Sequence, residues 1–308
     1  MTLEDRCASA DPEVRRIAIL ELAAFADDDE IPLLVTALRD PSAAVRLEAA
    51  AGLKAVETEA AVLGLVLALG DEDERVRQAA GESLAELKDP ASADWLLPAL
   101  GQSQAAGRAA ILRALRELRC PKCALAATAH LQDGDPEVRR EAIGVLGYLR
   151  HDPAVEPLLQ LALADPSEEV RRAAVGAVGF AAGKPVVLEA LSAILEDVSW
   201  RVREEAATTL AKAPKGIDVA PLLARLEDPY WQVRLRAARS LGRLGDRRAV
   251  PPLITLLAHT ISNLRKEAAL GLGELRDPEA LPSLNEAADD ADPEVRKSAR
   301  LAIKQIQG

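Results

Sequence analysis

Small and apolar residues recur along this chain with a helical spacing that itself repeats. Val45, Ala49 and Leu53 fall four apart, as do Val138, Ala142 and Leu146; Val202, Ala206 and Leu210; and Val233, Ala237 and Leu241. Residues four apart share one face of an α-helix, so each trio predicts a helix with a narrow stripe that must pack on a neighbour. The middle residue is almost always alanine, which lets that neighbour come close. Glycines one position past the trio (Gly147, Gly179, Gly242, Gly273) point to the same close approach. Glycine inside a helix costs roughly 1 kcal/mol against alanine, so its recurrence calls for a packing or helix-end reason.

The first residue of each trio is followed by arginine. The pairs are Val14-Arg15, Val45-Arg46, Val76-Arg77, Gly107-Arg108, Val138-Arg139, Val170-Arg171, Val202-Arg203, Val233-Arg234, Leu264-Arg265 and Val295-Arg296, at intervals of 31 or 32 residues. Upstream of these anchors lie second apolar runs, among them Ile31–Leu38, Val62–Leu69, Trp95–Leu100, Val155–Leu163, Val186–Leu195, Val219–Leu226 and Val250–Leu257. Each is long enough for two to three helical turns, and Pro32, Pro185 and Pro251 sit near the starts, where proline is tolerated. Asp-Pro pairs join the two runs: Asp11-Pro12, Asp40-Pro41, Asp135-Pro136, Asp165-Pro166, Asp228-Pro229 and Asp292-Pro293. Aspartate accepts hydrogen bonds from free amides at a helix start, and proline presets the first helical dihedral.

The unit is therefore helix, Asp-Pro turn, helix, and a fixed period of this length marks a stacked repeat protein. We expect an all-α, right-handed solenoid of about ten two-helix repeats, spanning 1–308 as one domain. Its second helices would line the concave face. The ten residues from Met1 to Ala10 are too short for a normal first helix, which leaves apolar surface for a dimer contact.

The recurring Asp-Pro, Val-Arg, Ala and Leu-Gly pattern resembles HEAT repeats, in the short form named after phycobiliprotein lyases, from about Asp11 to Gln307. The tetratricopeptide and ankyrin signatures are missing. We expect a non-catalytic scaffold that binds another macromolecule, a protein by preference, along the concave face. The resemblance implies an alternative, a lyase of the E/F type that attaches or detaches a bilin on a phycobiliprotein, in which arginines would hold propionates and Trp200 and Trp231 the ring system. DNA-backbone binding, as in HEAT-like DNA glycosylases, is a third reading. Deoxyhypusine hydroxylases of similar fold carry paired His-Glu iron ligands, and this chain has no His-Glu dipeptide.

Composition narrows these classes. Net charge is −11, and aromatics are only 2% of residues. From Glu196 to Gly308 the chain carries 18 basic and 17 acidic residues, so the acidity lies in 1–195. The window Ser199–Arg248 holds 11 basic against 6 acidic residues. A basic window in an acidic protein favours a local acidic partner over nucleic acid. No long uncharged run predicts a membrane span, no signal peptide opens the chain, and three cysteines make no disulfide framework, so a cytoplasmic location is expected.

Candidate chemistry is sparse. The ten arginines (Arg15, Arg46, Arg77, Arg108, Arg139, Arg171, Arg203, Arg234, Arg265, Arg296) read as a structural ladder bonded to turn carboxylates or carbonyls. Trp200 and Trp231 hold the same place in successive repeats, two residues ahead of the anchor, about 10 Å apart if adjacent helices pack normally. With Tyr230, Arg201, Arg236, Arg239 and Arg243 they form the candidate partner-binding group, since Trp, Tyr and Arg dominate interface hot spots. Trp200 or Trp231 could instead be a staple packed on its own helix start.

The segment Gly101–Cys123 departs most from the pattern and marks a possible bend. Cys120 and Cys123 form one CxxC, with His130 seven residues on. They read as ordinary buried or turn cysteines, as a redox pair at a helix start, or as weak metal candidates lacking a second pair. No P-loop, nucleophile elbow or His-Glu-x-x-His motif appears, no cofactor is called for, and a non-catalytic role is favoured.

Overall fold

The computed structural model describes residues 2–25 and 30–308; Met1 lies outside the described residues. Every described element is helical, as the repeat pattern requires. The chain falls into two compact units, 1–151 and 152–308.

The first unit holds five helix pairs. They are α1 (Leu3–Cys7) and α2 (Pro12–Phe25), α3 (Ile31–Ala37) and α4 (Ala43–Gly52), α5 (Glu59–Ala68) and α6 (Glu74–Leu84), α7 (Ala93–Leu100) and α8 (Ala105–Glu117), and α9 (Cys123–Ala129) and α10 (Pro136–Tyr148). The second unit holds five more: α11 (Val155–Ala164) and α12 (Glu168–Ala177), α13 (Pro185–Ile194) and α14 (Trp200–Leu210), α15 (Ala220–Ala224) and α16 (Trp231–Leu244), α17 (Val250–Leu256) and α18 (Ser262–Leu275), and α19 (Leu281–Ala287) and α20 (Pro293–Gln307). Within each unit the second helices pack in sequence, α2 on α4 through to α10 and α12 on α14 through to α20.

The buried stripe is the one the spacing predicts. Val45, Ala49 and Leu53, and Val138, Ala142 and Leu146, are at most 1% exposed. Facing them from the first helices is a recurring buried leucine: Leu34, Leu65, Leu96, Leu158, Leu191, Leu222, Leu253 and Leu284. Each such side chain contributes roughly 1.5–3 kcal/mol on full burial, so a thin aliphatic core substitutes for aromatic bulk.

The short first segment forms only the five-residue helix α1, which Thr2 and Asp5 cap reciprocally and which Arg6 ties to Glu21 of α2. One detail differs from the sequence reading. The Asp-Pro pairs are of two kinds. Asp11, Asp135 and Asp292 precede a proline at the helix start and bond the amides of Glu13, Glu137 and Glu294. Asp40 and Asp228 lie two residues earlier and have a different task, described next.

Candidate docking surface

In most repeats the anchor arginine leaves the first turn of a second helix with its guanidinium between two turns. Its Nη1 donates to the carbonyl six residues back: Arg15 to Ser9, Arg46 to Asp40, Arg171 to Asp165, Arg203 to Asp197 and Arg265 to His259, at 2.8–2.9 Å. Its Nε and Nη2 fork onto an aspartate of the next repeat. The pairs are Arg15–Asp40, Arg46–Asp71, Arg108–Asp133, Arg171–Asp197, Arg203–Asp228 and Arg265–Asp290, at 2.7–3.0 Å. The same aspartates accept the backbone N–H two residues on, as Asp40 does from Ser42 and Asp228 from Tyr230. One carboxylate thus ties a turn to itself and to the preceding repeat.

The arginine beside each holds Asp40, Asp71 and Asp290 below the usual carboxylate range. These aspartates sit five residues ahead of the next anchor, and that spacing was visible in the sequence. Arg77, Arg139 and Arg296 keep the carbonyl bond, at 2.8 Å. Arg234 has neither bond, and its Nε is buried without an acceptor.

The aromatic group gathers in the second unit, where the turn ahead of α14 meets the turn ahead of α16. Trp200 stacks on Tyr230 with ring centroids 5.5 Å apart and planes 14° from parallel. The ring of Trp200 thus bridges two repeats through Tyr230, the neighbour of Trp231, and does not staple its own helix start. Arg201 covers Trp200 at 5.5 Å and pairs with Glu168 at 2.9 Å. Arg203 lies 5.7 Å from the Tyr230 centroid while bonded to Asp228, so its place in the ladder also shapes the stack. Tyr230 is 46% and Trp231 37% exposed, and Val198, in the turn ahead of α14, is 92% exposed.

The remaining arginines of the candidate group stand elsewhere. Arg236 reaches back to Glu204 of α14 at 3.0 Å, and Arg239 lies 3.7 Å from Glu267 of α18. Arg243 is exposed further along α16. Spaced at i, i+3 and i+7, they form one stripe of the helix body, separate from the aromatic turn.

Cys120 and Cys123 lie in the turn that starts α9, and both are buried. Burial, with Cys120 beside it, pushes the Cys123 thiol up to about 12, opposite to the lowering expected of a reactive thiol at a helix start. His130 turns back onto its own helix, with Nδ1 2.8 Å from the Ala126 carbonyl. Among the described residues no cluster of three or more His, Cys, Asp or Glu is placed to hold a metal. Arg108 pairs with Asp133 across the Gly101–Cys123 segment, so the ladder runs on through it.

Comparison with known proteins follows the same lines. A family model for HEAT repeats matches residues 1–66, 59–116, 124–211 and 219–304. The chain belongs to the HEAT-repeat family. No curated protein sequence matches it. An engineered protein of known structure is 22% identical, with a TM-score of 0.57 over 99% of this chain and 98% of that one. YibA of Escherichia coli is 20% identical, with a TM-score of 0.55 over 97% and 98% of the two chains. Yeast importin-β (Kap95p) superposes with a TM-score of 0.67 at 16% identity, covering 99% of this HEAT-repeat chain and 50% of its own. At these identities the likeness is one of fold. Among the described residues no helix is long and apolar enough to cross a membrane.

Proposed function

We propose that this HEAT-repeat chain is a non-catalytic scaffold that docks another protein on the aromatic turn formed by Trp200, Tyr230 and Trp231, with Arg201 at its edge. The observation that carries the reading is the exposure of Tyr230 and Trp231 in a chain where aromatics are 2% of residues. Half-exposed aromatic rings gathered at one turn make an apolar surface, and rigid aromatic and arginine side chains are the anchors of protein interfaces. The Trp200–Tyr230 stack and the Arg203–Asp228 pair hold these rings before a partner arrives, so little rotamer freedom is lost on binding. Kap95p, whose fold is similar, is known in a complex with Nup1, an instance of this scaffold engaging a protein.

The geometry supports this reading over bilin chemistry. Six of the ladder arginines are forked onto aspartates and so are not free to grip propionates. The acidity of the chain as a whole supports a protein partner over nucleic acid.

The test is a quantitative pull-down from host lysate with wild type and a Tyr230→Ala/Trp231→Ala variant. A protein recovered by wild type and lost with the variant is the expected result. Equal recovery by both overturns the assignment of the surface.

A further inference from the structure

Glutamate recurs three residues after the anchor on several second helices, and two copies serve as controls for each other. On α10 Glu141 is 2% exposed and fully served by arginine. Arg113 donates to its Oε1 at 3.1 Å and Arg140 to the same oxygen at 2.9 Å. Arg116 reaches Oε2 at 3.3 Å. Arg113 and Arg116 stand six and nine residues after Gly107, on the preceding second helix.

On α18 the equivalent residue is Glu267, 5% exposed. Arg239, six residues after Val233, lies 3.7 Å from Oε1, as the counterpart of Arg113. The counterpart of Arg116, nine residues after the anchor, is Gly242. Glu267 Oε2 is consequently buried with no hydrogen-bond donor. The glycine cannot simply be replaced, because a Cβ there would stand 2.6 Å from the Cα of Gly271. Close approach of α16 and α18 has removed the arginine and kept the carboxylate.

That carboxylate borders a groove of about 230 Å3, with Arg239 at one edge and Leu270, Glu274, Leu301 and Gln305 along α18 and α20. We propose that the groove binds a guanidinium group, which takes the role that Arg116 plays for Glu141. The incoming N–H groups donate to the Glu267 carboxylate that lines the groove, Glu274 and Gln305 offer further acceptors, and Leu270 and Leu301 cover the alkyl stem. A planar fork suits a buried carboxylate better than a compact cation does, and guanidinium gives up its hydration more readily than ammonium. The Glu141 cluster shows that a second guanidinium beside the first is tolerated. This site lies apart from the aromatic turn and stands without the docking reading.

The test is saturation-transfer-difference NMR on the full chain with three probes: N-acetyl-arginine amide, agmatine, and the neutral N-acetyl-citrulline amide. Wild type is expected to give saturable transfer to the arginine probe and none to citrulline. Equal transfer to agmatine identifies a free small guanidine as a ligand, whereas transfer to the blocked arginine alone identifies an arginine side chain within a polypeptide. Glu267→Gln should cut transfer at least fivefold with no fall in melting temperature, while Glu141→Gln should lower the melting temperature and leave transfer intact. Leu301→Trp, which fills the groove from its half-exposed rim, should also abolish transfer and covers the case in which Glu267→Gln does not fold. Absence of transfer from both cationic probes, or transfer unchanged in the Glu267→Gln and Leu301→Trp variants, overturns the proposal.

Discussion

His259 occupies the ladder position from which an aspartate should grip Arg234. It performs half of the aspartate's work, since its Nδ1 accepts the Ile261 amide at 3.0 Å as Asp228 accepts that of Tyr230. Arg234 gains nothing from it, and its Nε stays buried without an acceptor. His259→Asp should therefore complete the ladder and stabilise the chain by about 1–2 kcal/mol, the range for a hydrogen bond to a charged group. A thermal melt should shift upward by about 2–4 °C. An unchanged or lower midpoint would show that Arg234 cannot reach the introduced carboxylate.

The reverse experiment belongs at Asp228, whose side chain is fully buried against Arg203. Asp228→Ala leaves the Arg203 guanidinium largely buried without its anion and removes the acceptor for the Tyr230 amide. Breaking such a pair from one side costs about 3–5 kcal/mol. Urea denaturation should show that loss, and intrinsic fluorescence should change as the Trp200–Tyr230 stack loosens. A cost under about 1 kcal/mol would mean that the ladder is ornamental.

Acid should find the ladder by a predictable route. Asp40, Asp71 and Asp290 are held below the ordinary carboxylate value by Arg15, Arg46 and Arg265. A carboxyl whose pKa is lower folded than unfolded contributes stability that is complete above its unfolded value, near 3.9, and lost as pH falls through its folded value. Urea midpoints should accordingly hold from pH 7 to about 4.5 and fall steeply below about 4. Asp71→Asn should lower the plateau and flatten that fall. Equal slopes in the two proteins would remove Asp71 from the account.

Glycine on α16 supplies a steric test. An added Cβ at Gly242 meets the Gly271 backbone at 2.6 Å, whereas Gly101 and Gly134 have nothing within 4 Å. Helix propensity alone would make Gly242→Ala stabilising by roughly 1 kcal/mol. The expected outcome is the opposite sign, a loss of about 1–3 kcal/mol from overpacking. Gly101→Ala and Gly134→Ala serve as controls, read by denaturation alongside.

Much of this was legible before any coordinates. The Val45, Ala49, Leu53 spacing gives the helix and its buried face, and the 31–32-residue interval of the arginines gives the stack. The ladder's second half was legible too, because aspartates recur five residues ahead of the anchors. Asp-Pro pairs hid it, since Asp135-Pro136 caps a helix while Asp228-Pro229 serves the ladder, and dipeptide identity does not separate them. That Trp200 stacks on Tyr230 depends on how one turn is offset from the next, which spacing along the chain does not give. The missing donor at Glu267 needed the Glu141 cluster to be seen in space first.

The claim that matters most is that the turn bearing Trp200, Tyr230 and Trp231 binds a protein. Its most direct measurement is the dissociation constant of the recovered partner for wild type and for Trp231→Ala, taken alongside both melting temperatures. The expected result is binding weaker by about 2 kcal/mol, roughly thirtyfold, with the melting temperature nearly unchanged. Unchanged affinity, or a large drop in melting temperature that accounts for the lost binding, would contradict it and make Trp231 part of the fold alone.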